Sequence, residues 1–161
     1  MLIAVISDTH LPRGQRRIPD ACLERLAQAD LILHAGDFTT PEVLHDLEAI
    51  GTVAGVSGNV DTHALRRLLP ETRVVEAGGA RIGMVHDAGP ADGRLERMRR
   101  RFPDADAVVF GHSHIPLLEQ ADGFQIFNPG SPTDRRRQPR HTMGMATAAA
   151  GKLTFELLPL D

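Results

Sequence analysis

The sequence predicts an α/β protein in which two β-sheets pack face to face and helices cover their outer sides. Three observations favour this class. Apolar runs alternate with helical segments in the first half, and paired runs joined by tight turns fill the second. The 161 residues, 42% of them hydrophobic, match one globular domain spanning residues 1–161. A βαβα order predicts parallel strands with right-handed crossovers, whereas short turns predict antiparallel hairpins.

The first half predicts three buried strands separated by two helices. LIAVI is a short apolar run, and apolar residues then recur at helical spacing between Pro19 and Ala29. Thr40 and Pro41 suit the N-cap and first position of a second helix. The predicted segments are strands at 2–6, 31–33 and 53–56 and helices at 19–29 and from 41.

The second half predicts hairpins, one further buried strand and one further helix. VVEAGGARIGMVH turns at Gly78 and Gly79, and LLEQADGFQIF turns at Asp122 and Gly123. MGMATAAAGKLTFELLPL predicts a last hairpin, and DAVVFG a buried strand. A charged helix is expected from about Gly93 to Phe102.

Composition excludes several classes of protein. No apolar run approaches the roughly 20 residues of a membrane span, and the N-terminus lacks the pattern of a signal peptide. Cys22 is the only cysteine, so no internal disulfide forms, in agreement with a reducing cytoplasm. The net charge of -3 argues against dedicated nucleic-acid binding, and it favours a solvated loop over a polyanion site for the run RRRQPR, 135–140. The oligomeric state is open, and an assembly of identical chains is compatible with the sequence.

Polar side chains follow five predicted strands at the point where each ends. The strands end in SDTH, HAGD, SGN, MVH and GHSH. Ligands of open α/β sheets bind beyond the carboxyl ends of the strands. Because residues two apart in an extended segment face one side, Asp8 pairs with His10 and His112 with His114. Glycines at 36, 58 and 111 allow sharp turns and close backbone approach there.

Taken singly, these residues have ordinary explanations. A lone aspartate at a strand end, such as Asp37, usually forms a turn or a helix cap, and His34 is assigned to the core. Together the set supplies four imidazoles, two carboxylates and one amide, which are donors that suit transition metals. No cysteine joins them, so a structural thiolate zinc site is excluded. The seven are Asp8, His10, Asp37, Asn59, His86, His112 and His114.

The motifs resemble the calcineurin-like metallophosphoesterases, whose pattern is D-x-H, G-D, G-N, a lone His and G-H-x-H. The likeness is greatest to the short YfcE-like phosphodiesterases, and NPGS, 128–131, resembles a further loop of these members. The resemblance implies a four-layer αββα sandwich with two mixed sheets flanked by helices. It also implies two divalent transition-metal ions, Mn before Ni, Fe, Co or Zn, and hydrolysis of a small phosphate ester by a metal-bridging hydroxide. No membrane partner is expected.

Carried over by position, the resemblance implies two ligand sets that share one residue. Asp8, His10 and His114 would hold one ion, Asn59, His86 and His112 the other, and Asp37 would bridge them. Asp37, Asn59 and His86 would be catalytic through the metals.

Several residues near the motifs have two interpretations. Asp61 either orients a ligand or caps the helix near His63, and Asp87 either bonds a ligand or belongs to the loop. Asn128 is a further candidate for positioning a ligand, and Arg13 is a candidate phosphate contact. Val60 replaces the histidine that many relatives place after the asparagine, so the leaving-group acid is open.

Three functions are compatible with this sequence. A metal-dependent phosphodiesterase is favoured because all seven donors are present. A phosphomonoesterase or nucleotidase of the same fold is the first alternative. A non-catalytic scaffold, like the retromer subunit of this family, is the second, although a scaffold has no need to keep every ligand.

Overall fold

The computed structural model describes residues 1–161 and has two five-stranded sheets. The first sheet has the order β10-β9-β1-β2-β3, and the second has the order β4-β5-β6-β8-β7. The strands are β1 (Leu2–Ile6), β2 (Leu31–His34), β3 (Val53–Gly55), β4 (Thr72–Ala77), β5 (Ala80–Val85), β6 (Ala107–Val109), β7 (Leu117–Ala121), β8 (Phe124–Asn128), β9 (Thr142–Ala149) and β10 (Lys152–Pro159). The helices are α1 (Asp20–Gln28), α2 (Pro41–Glu48), α3 (His63–Leu68) and α4 (Arg94–Arg101).

The strand LIAVI shows why its residues form a buried central strand. Ile3 and Val5 face the core between the two sheets, whereas Ala4 and Ile6 face the layer of helices. A strand alternates its side chains between faces, so a run without polar residues fits only where both faces are covered. β1 pairs in parallel with β2 and antiparallel with β9.

Three apolar clusters fill the spaces between four layers. The largest lies between the sheets, where Phe127 of β8 stacks on Phe155 of β10 with ring centroids 4.7 Å apart. A second joins the first sheet to α1, α2 and α3, and includes the buried Cys22. The third packs α4 on the second sheet through Leu95 and Met98. The expected αββα sandwich with two mixed sheets is therefore confirmed.

The predicted hairpins and crossovers are also present. The strands β1, β2 and β3 run parallel, and β4 with β5, β7 with β8, and β9 with β10 are antiparallel pairs. Gly78 and Gly79 have φ of 55° and 80°, and Asp122 and Gly123 have 49° and 77°, as two-residue hairpin turns with both residues left-handed require. The longest helix, α1, has nine residues, so none of the four helices could span a bilayer.

Candidate metal centre

The seven predicted donors lie in the loops that follow β1, β2, β3, β5 and β6. Their backbone differs from the expected extended form. Asp8 and His10 have φ of 57° and 47°, Asp37 has 59°, and His112 and His114 have 68° and 59°. Asp and His are among the few residues that tolerate the left-handed region, and such strain clusters at functional sites. The extended geometry predicted for both pairs is therefore wrong, because both members of each pair have a left-handed backbone.

The first group joins Asp8 and His10 to His114, and their ligand atoms lie within 4.8 Å of one another. His114 Nε2 is 3.5 Å from Asp8 Oδ1, and His10 Nε2 is 3.8 Å from the same oxygen. Both Nε2 atoms are buried and have no hydrogen-bond partner. His114 Nδ1 donates to the carbonyl of Asp134, so in the neutral ring Nε2 carries the lone pair.

The second group joins Asp37 to His86 and His112, with Asn59 beside them. Asn59 Oδ1 lies 3.0 Å from His86 Nε2 and 3.1 Å from His112 Nδ1. His86 Nδ1 donates to the carbonyl of Ala35 at 2.7 Å, which directs Nε2 of that ring toward the site. A cleft of about 390 Å³ opens over this group.

Asp37 lies between the two groups. Its Oδ2 is 3.2 Å from His10 Nε2 and 3.1 Å from His86 Nε2, while Oδ1 accepts from the backbone N–H of Val60 at 3.0 Å. Burial opposes ionisation of Asp37, but His10 and His86 outweigh it and hold the pKa of the carboxyl well below its usual range.

Lone pairs of imidazole and carboxylate at these distances repel one another unless a cation or proton lies between them. Asp37 and Asp8 accordingly raise the pKa of His10 to about 9, despite burial. A divalent cation would take the place of that proton, and imidazole with carboxylate is a donor set for transition metals. The two unpartnered Nε2 atoms of His10 and His114 therefore fit metal ligands.

Glycine is required where the loops meet the donors. An added Cβ at Gly36, whose φ is +97°, would lie 2.6 Å from His86 Nδ1. At Gly58 an added Cβ would overlap the carboxylate of Asp37. The strand-end glycines thus permit the close approach that the sequence indicated.

Asp61 holds the loops that carry two of the donors. Its buried carboxylate accepts from the N–H groups of Gly58 at 2.7 Å and Asp37 at 3.3 Å through Oδ2, and from that of Thr39 at 2.8 Å through Oδ1. Burial raises the pKa of the Asp61 carboxyl, and the hydrogen bonds from these N–H groups oppose that rise. The capping alternative is wrong, because Thr62 is the N-cap of α3 and its side chain accepts from Leu65 N.

Arg66 was not found by sequence reasoning. From α3 its Nη2 donates to the carbonyl of Asn59 at 2.6 Å and its Nε to that of Asp61 at 3.1 Å. These bonds tie the SGNVD loop to the helix that follows it. No local pattern distinguishes this arginine from its exposed neighbour Arg67.

Two serines also contact Asp8. Ser7 Oγ donates to Asp8 Oδ2 at 2.8 Å, and Ser131 Oγ donates to the Asp8 carbonyl at 2.8 Å. Ser131 belongs to the NPGS loop noted in the sequence, whereas Ser7 was overlooked. Ser7 therefore restrains the Asp8 carboxylate, and Ser131 fixes the backbone of the loop that carries it.

Asn128 supports the loop with the paired histidines without touching their rings. It is fully buried, and its Nδ2 donates to the carbonyl of Gly111 and to Ser113 Oγ, each at 3.1 Å. Asp87 is exposed, bonds Gly89 N at 2.8 Å, and lies 3.8 Å from His112 Nε2, beyond hydrogen-bond distance.

The Arg13 side chain is exposed and forms no hydrogen bond or ion pair, although the Arg13 carbonyl accepts from Arg16 N at 3.0 Å. Arg16 instead donates through Nη1 to the carbonyl of His10 at 3.4 Å.

His34 belongs to the core, as expected. Its Nδ1 accepts from Gly36 N, so the neutral ring donates from Nε2 to Thr9 Oγ1, and burial lowers its pKa to about 3.

Comparisons with known proteins agree with this geometry. Residues 1–151 match the model of the calcineurin-like phosphoesterase superfamily domain. A probable metallophosphoesterase of Methanothermobacter thermautotrophicus is 38% identical over 135 residues, which cover 83% of this chain and 78% of that protein. Vps29 of Entamoeba histolytica, solved in complex with Zn²⁺, has a TM-score of 0.78 at 24% identity over all of both chains.

A structure described as a novel archaeal phosphodiesterase has a TM-score of 0.74 at 19% identity, with 98% of this chain and 100% of that chain covered. At identities of 24% and 19%, the likeness to these two solved structures shows a shared fold and does not bear on function. The family match covers most of the chain, and the curated relative exceeds 30% identity over most of both chains. The chain belongs to the calcineurin-like phosphoesterase superfamily.

Proposed function

We propose that the protein is a dinuclear metal-dependent phosphoesterase that hydrolyses phosphodiester bonds. The observation that carries this proposal is the pair of donor groups on either side of Asp37, with two buried Nε2 atoms lacking partners. Asp8, His10 and His114 would hold one divalent ion, and Asn59, His86 and His112 the other, with Asp37 shared between them. Mn fits these nitrogen and oxygen donors, as do Fe, Co, Ni and Zn.

When bound, two such ions supply a hydroxide nucleophile near neutral pH and neutralise charge on the phosphoryl oxygens. The chain's own residues set that chemistry up. Asp8 and Asp37 are the only carboxylates in the two groups, so two divalent ions retain an excess positive charge that attracts a phosphate ester. Ala35 and Asp134 hold the His86 and His114 rings in the tautomer that offers Nε2.

A diester is the favoured substrate because nothing closes over the cleft. Every helix and strand belongs to one of the four layers, so both ester arms of a substrate can extend into solvent. The alternative is a preference for phosphomonoesters, and rates measured on a panel of monoesters and diesters would decide between the two.

The test is Asp37→Asn, compared with Asp46→Asn on the exposed side of α2 as an isosteric control. Groups that only orient ligands typically contribute 10- to 100-fold, so loss of the shared ligand should reduce kcat/KM on bis(4-nitrophenyl) phosphate more than about 100-fold. Metal content, measured by elemental analysis, should fall in the Asp37 variant alone. Near-normal turnover with two metals still bound would refute the assignment.

The scaffold alternative makes the opposite prediction about turnover. Vps29 was solved in complex with Zn²⁺, so metal binding does not separate the two functions, and at 24% identity the likeness shows a shared fold only. A protein that takes up Mn or Zn but hydrolyses neither phosphodiesters nor phosphomonoesters would favour the scaffold.

A further inference from the structure

Seven arginines lie on two loops at one side of the centre, and we name them the arginine rim. Residues 12–20 and 134–140 contain seven of the 18 basic residues of the chain but only two of its 21 acidic residues, Asp20 and Asp134. The chain as a whole has a net charge of -3, so this excess is local. The rim consists of Arg13, Arg16, Arg17, Arg135, Arg136, Arg137 and Arg140.

The carboxylate of Asp134 joins the two loops. Its Oδ2 lies 3.4 Å from Arg16 Nη1 on the first loop and 3.4 Å from Arg136 Nε on the second. One carboxylate therefore faces two guanidinium groups, and a positive charge remains uncompensated. The nearby carboxylate of Asp161 is already paired with His141 at 2.6 Å.

The same loops are anchored to the first donor group. His114 donates through Nδ1 to the carbonyl of Asp134, and Arg16 donates to the carbonyl of His10. Each loop thus contributes one residue, Arg16 or Asp134, that bonds a histidine of the metal site. An anion bound along the rim would reach the centre from this side.

Three members of the rim have side chains without a partner in the protein. The side chains of Arg13, Arg137 and Arg140 are exposed and form no hydrogen bond, ion pair or contact with an aromatic face. The Arg135 side chain bonds only the carbonyl of Gln138 in its own loop. Like charges held together repel one another, and a bound polyanion would relieve that repulsion.

This inference rests on the proposed function. We propose that the substrate is an oligonucleotide, a polyanionic phosphodiester strand. Its phosphates lie along the arginine rim while one phosphodiester occupies the metal centre. The net charge alone argued against nucleic acid, but the distribution of that charge favours it. Recognition would go through the phosphates, because the chain has no Trp or Tyr and all six Phe side chains are buried. Stacking platforms for bases are therefore missing, and binding should be independent of base sequence and weakened by salt.

The experiment measures binding of a fluorescein-labelled dT12 strand to the metal-free protein by anisotropy, at several salt concentrations. The variant R137Q/R140Q removes two rim charges that have no partner in the fold. Each phosphate contact on a single strand contributes about 0.7 to the slope of log K against log salt, so the slope should fall by about 1.4. At about 0.1 M salt this corresponds to roughly 25-fold weaker binding.

The matched control is R25Q/R100Q, which removes two exposed, unpaired arginines from α1 and α4 on the outer layers. This control should retain the wild-type slope and affinity. An unchanged slope in R137Q/R140Q, or equal weakening in both variants, would overturn the proposal. Inorganic polyphosphate that binds more tightly than dT12 at equal charge would overturn the choice of a nucleic-acid strand.

Hydrolysis separates this inference from the proposed function. With Mn bound, R137Q/R140Q should lose a larger factor in kcat/KM on dT12 than on bis(4-nitrophenyl) phosphate. Wild-type protein that cleaves the small diester but neither binds nor cleaves dT12 would refute the rim and leave the phosphoesterase intact. Wild-type protein that binds dT12 through the rim but cleaves neither compound would refute the phosphoesterase instead.

Discussion

Substitution of Asp61 should destabilise the fold in graded steps that follow its hydrogen bonds. The buried carboxylate accepts three backbone N–H groups, from Gly58 and Asp37 through Oδ2 and from Thr39 through Oδ1. In Asp61→Asn, the amide oxygen can replace Oδ2 and keep two bonds, but the amide NH₂ then faces the N–H of Thr39. In Asp61→Ala all three donors lose their acceptor.

The magnitudes follow from the bond count. A hydrogen bond to a charged group contributes about 1.5–3 kcal/mol, and a buried donor left unpaired costs about 1–3 kcal/mol. Asp61→Asn loses one such bond and should lower the free energy of unfolding by about 2 kcal/mol. Asp61→Ala loses three bonds to one carboxylate, which are not additive, and should lower it by about 4 kcal/mol.

Urea unfolding of the metal-free protein, followed by circular dichroism, measures both values. Asp92→Asn supplies a control, because this aspartate is exposed and its carboxylate accepts no hydrogen bond. Equal stability of Asp61→Asn and wild type would refute the reasoning, since it would mean that the amide satisfies all three donors. A larger loss in Asp61→Asn than in Asp61→Ala would refute it as well.

Three further predictions concern the metals, the leaving group and the thiol. EDTA should abolish diester hydrolysis and Mn or Ni should restore it better than Mg or Ca; activity that survives metal removal verified by elemental analysis would contradict this. Val60, 42% exposed and bonded through its N–H to Asp37, cannot donate a proton from its side chain. Wild type should therefore hydrolyse alkyl diesters slowly, and Val60→His should accelerate them selectively by up to about 10²–10⁴-fold, read from rate against leaving-group pKa; a shallow, unchanged dependence would disprove it. Burial raises the pKa of Cys22 to about 12, so iodoacetamide at pH 8 should label it only in urea, as measured by mass spectrometry, and fast labelling of folded protein would contradict that.

The sequence predicted most of the fold because the apolar runs are short and sharply bounded. LIAVI has no polar residue that could face solvent, which left only a strand covered on both faces, and Leu2–Ile6 is that strand. The polar residues after each run were visible as a set because every one of them follows the end of a buried strand. Their convergence from two different sheets, and their division into two groups, were expected from the family resemblance and not from position along the chain.

Contacts between residues that only folding brings together leave no such pattern in the sequence. Arg66 donates from its side chain to the Asn59 carbonyl across a turn. The sequence does not distinguish Arg66 from Arg67, because both are arginines of α3. Asp61 and Thr62 are both residues that favour N-caps, so only the coordinates separate the loop anchor from the cap. The arginine rim was hidden because its two loops lie more than a hundred residues apart.

The left-handed backbone of five donors bears on how this chain could change over evolution. Each such residue costs about 1 kcal/mol, so the five together consume much of the 5–15 kcal/mol by which folded proteins are stable. Glycine at His112 would relieve that strain but would remove one of the seven donors, so stability and the proposed metal site make opposite demands on this position. Imidazoles and carboxylates in this strained backbone are costly for the fold alone, and a role in metal binding would account for that cost.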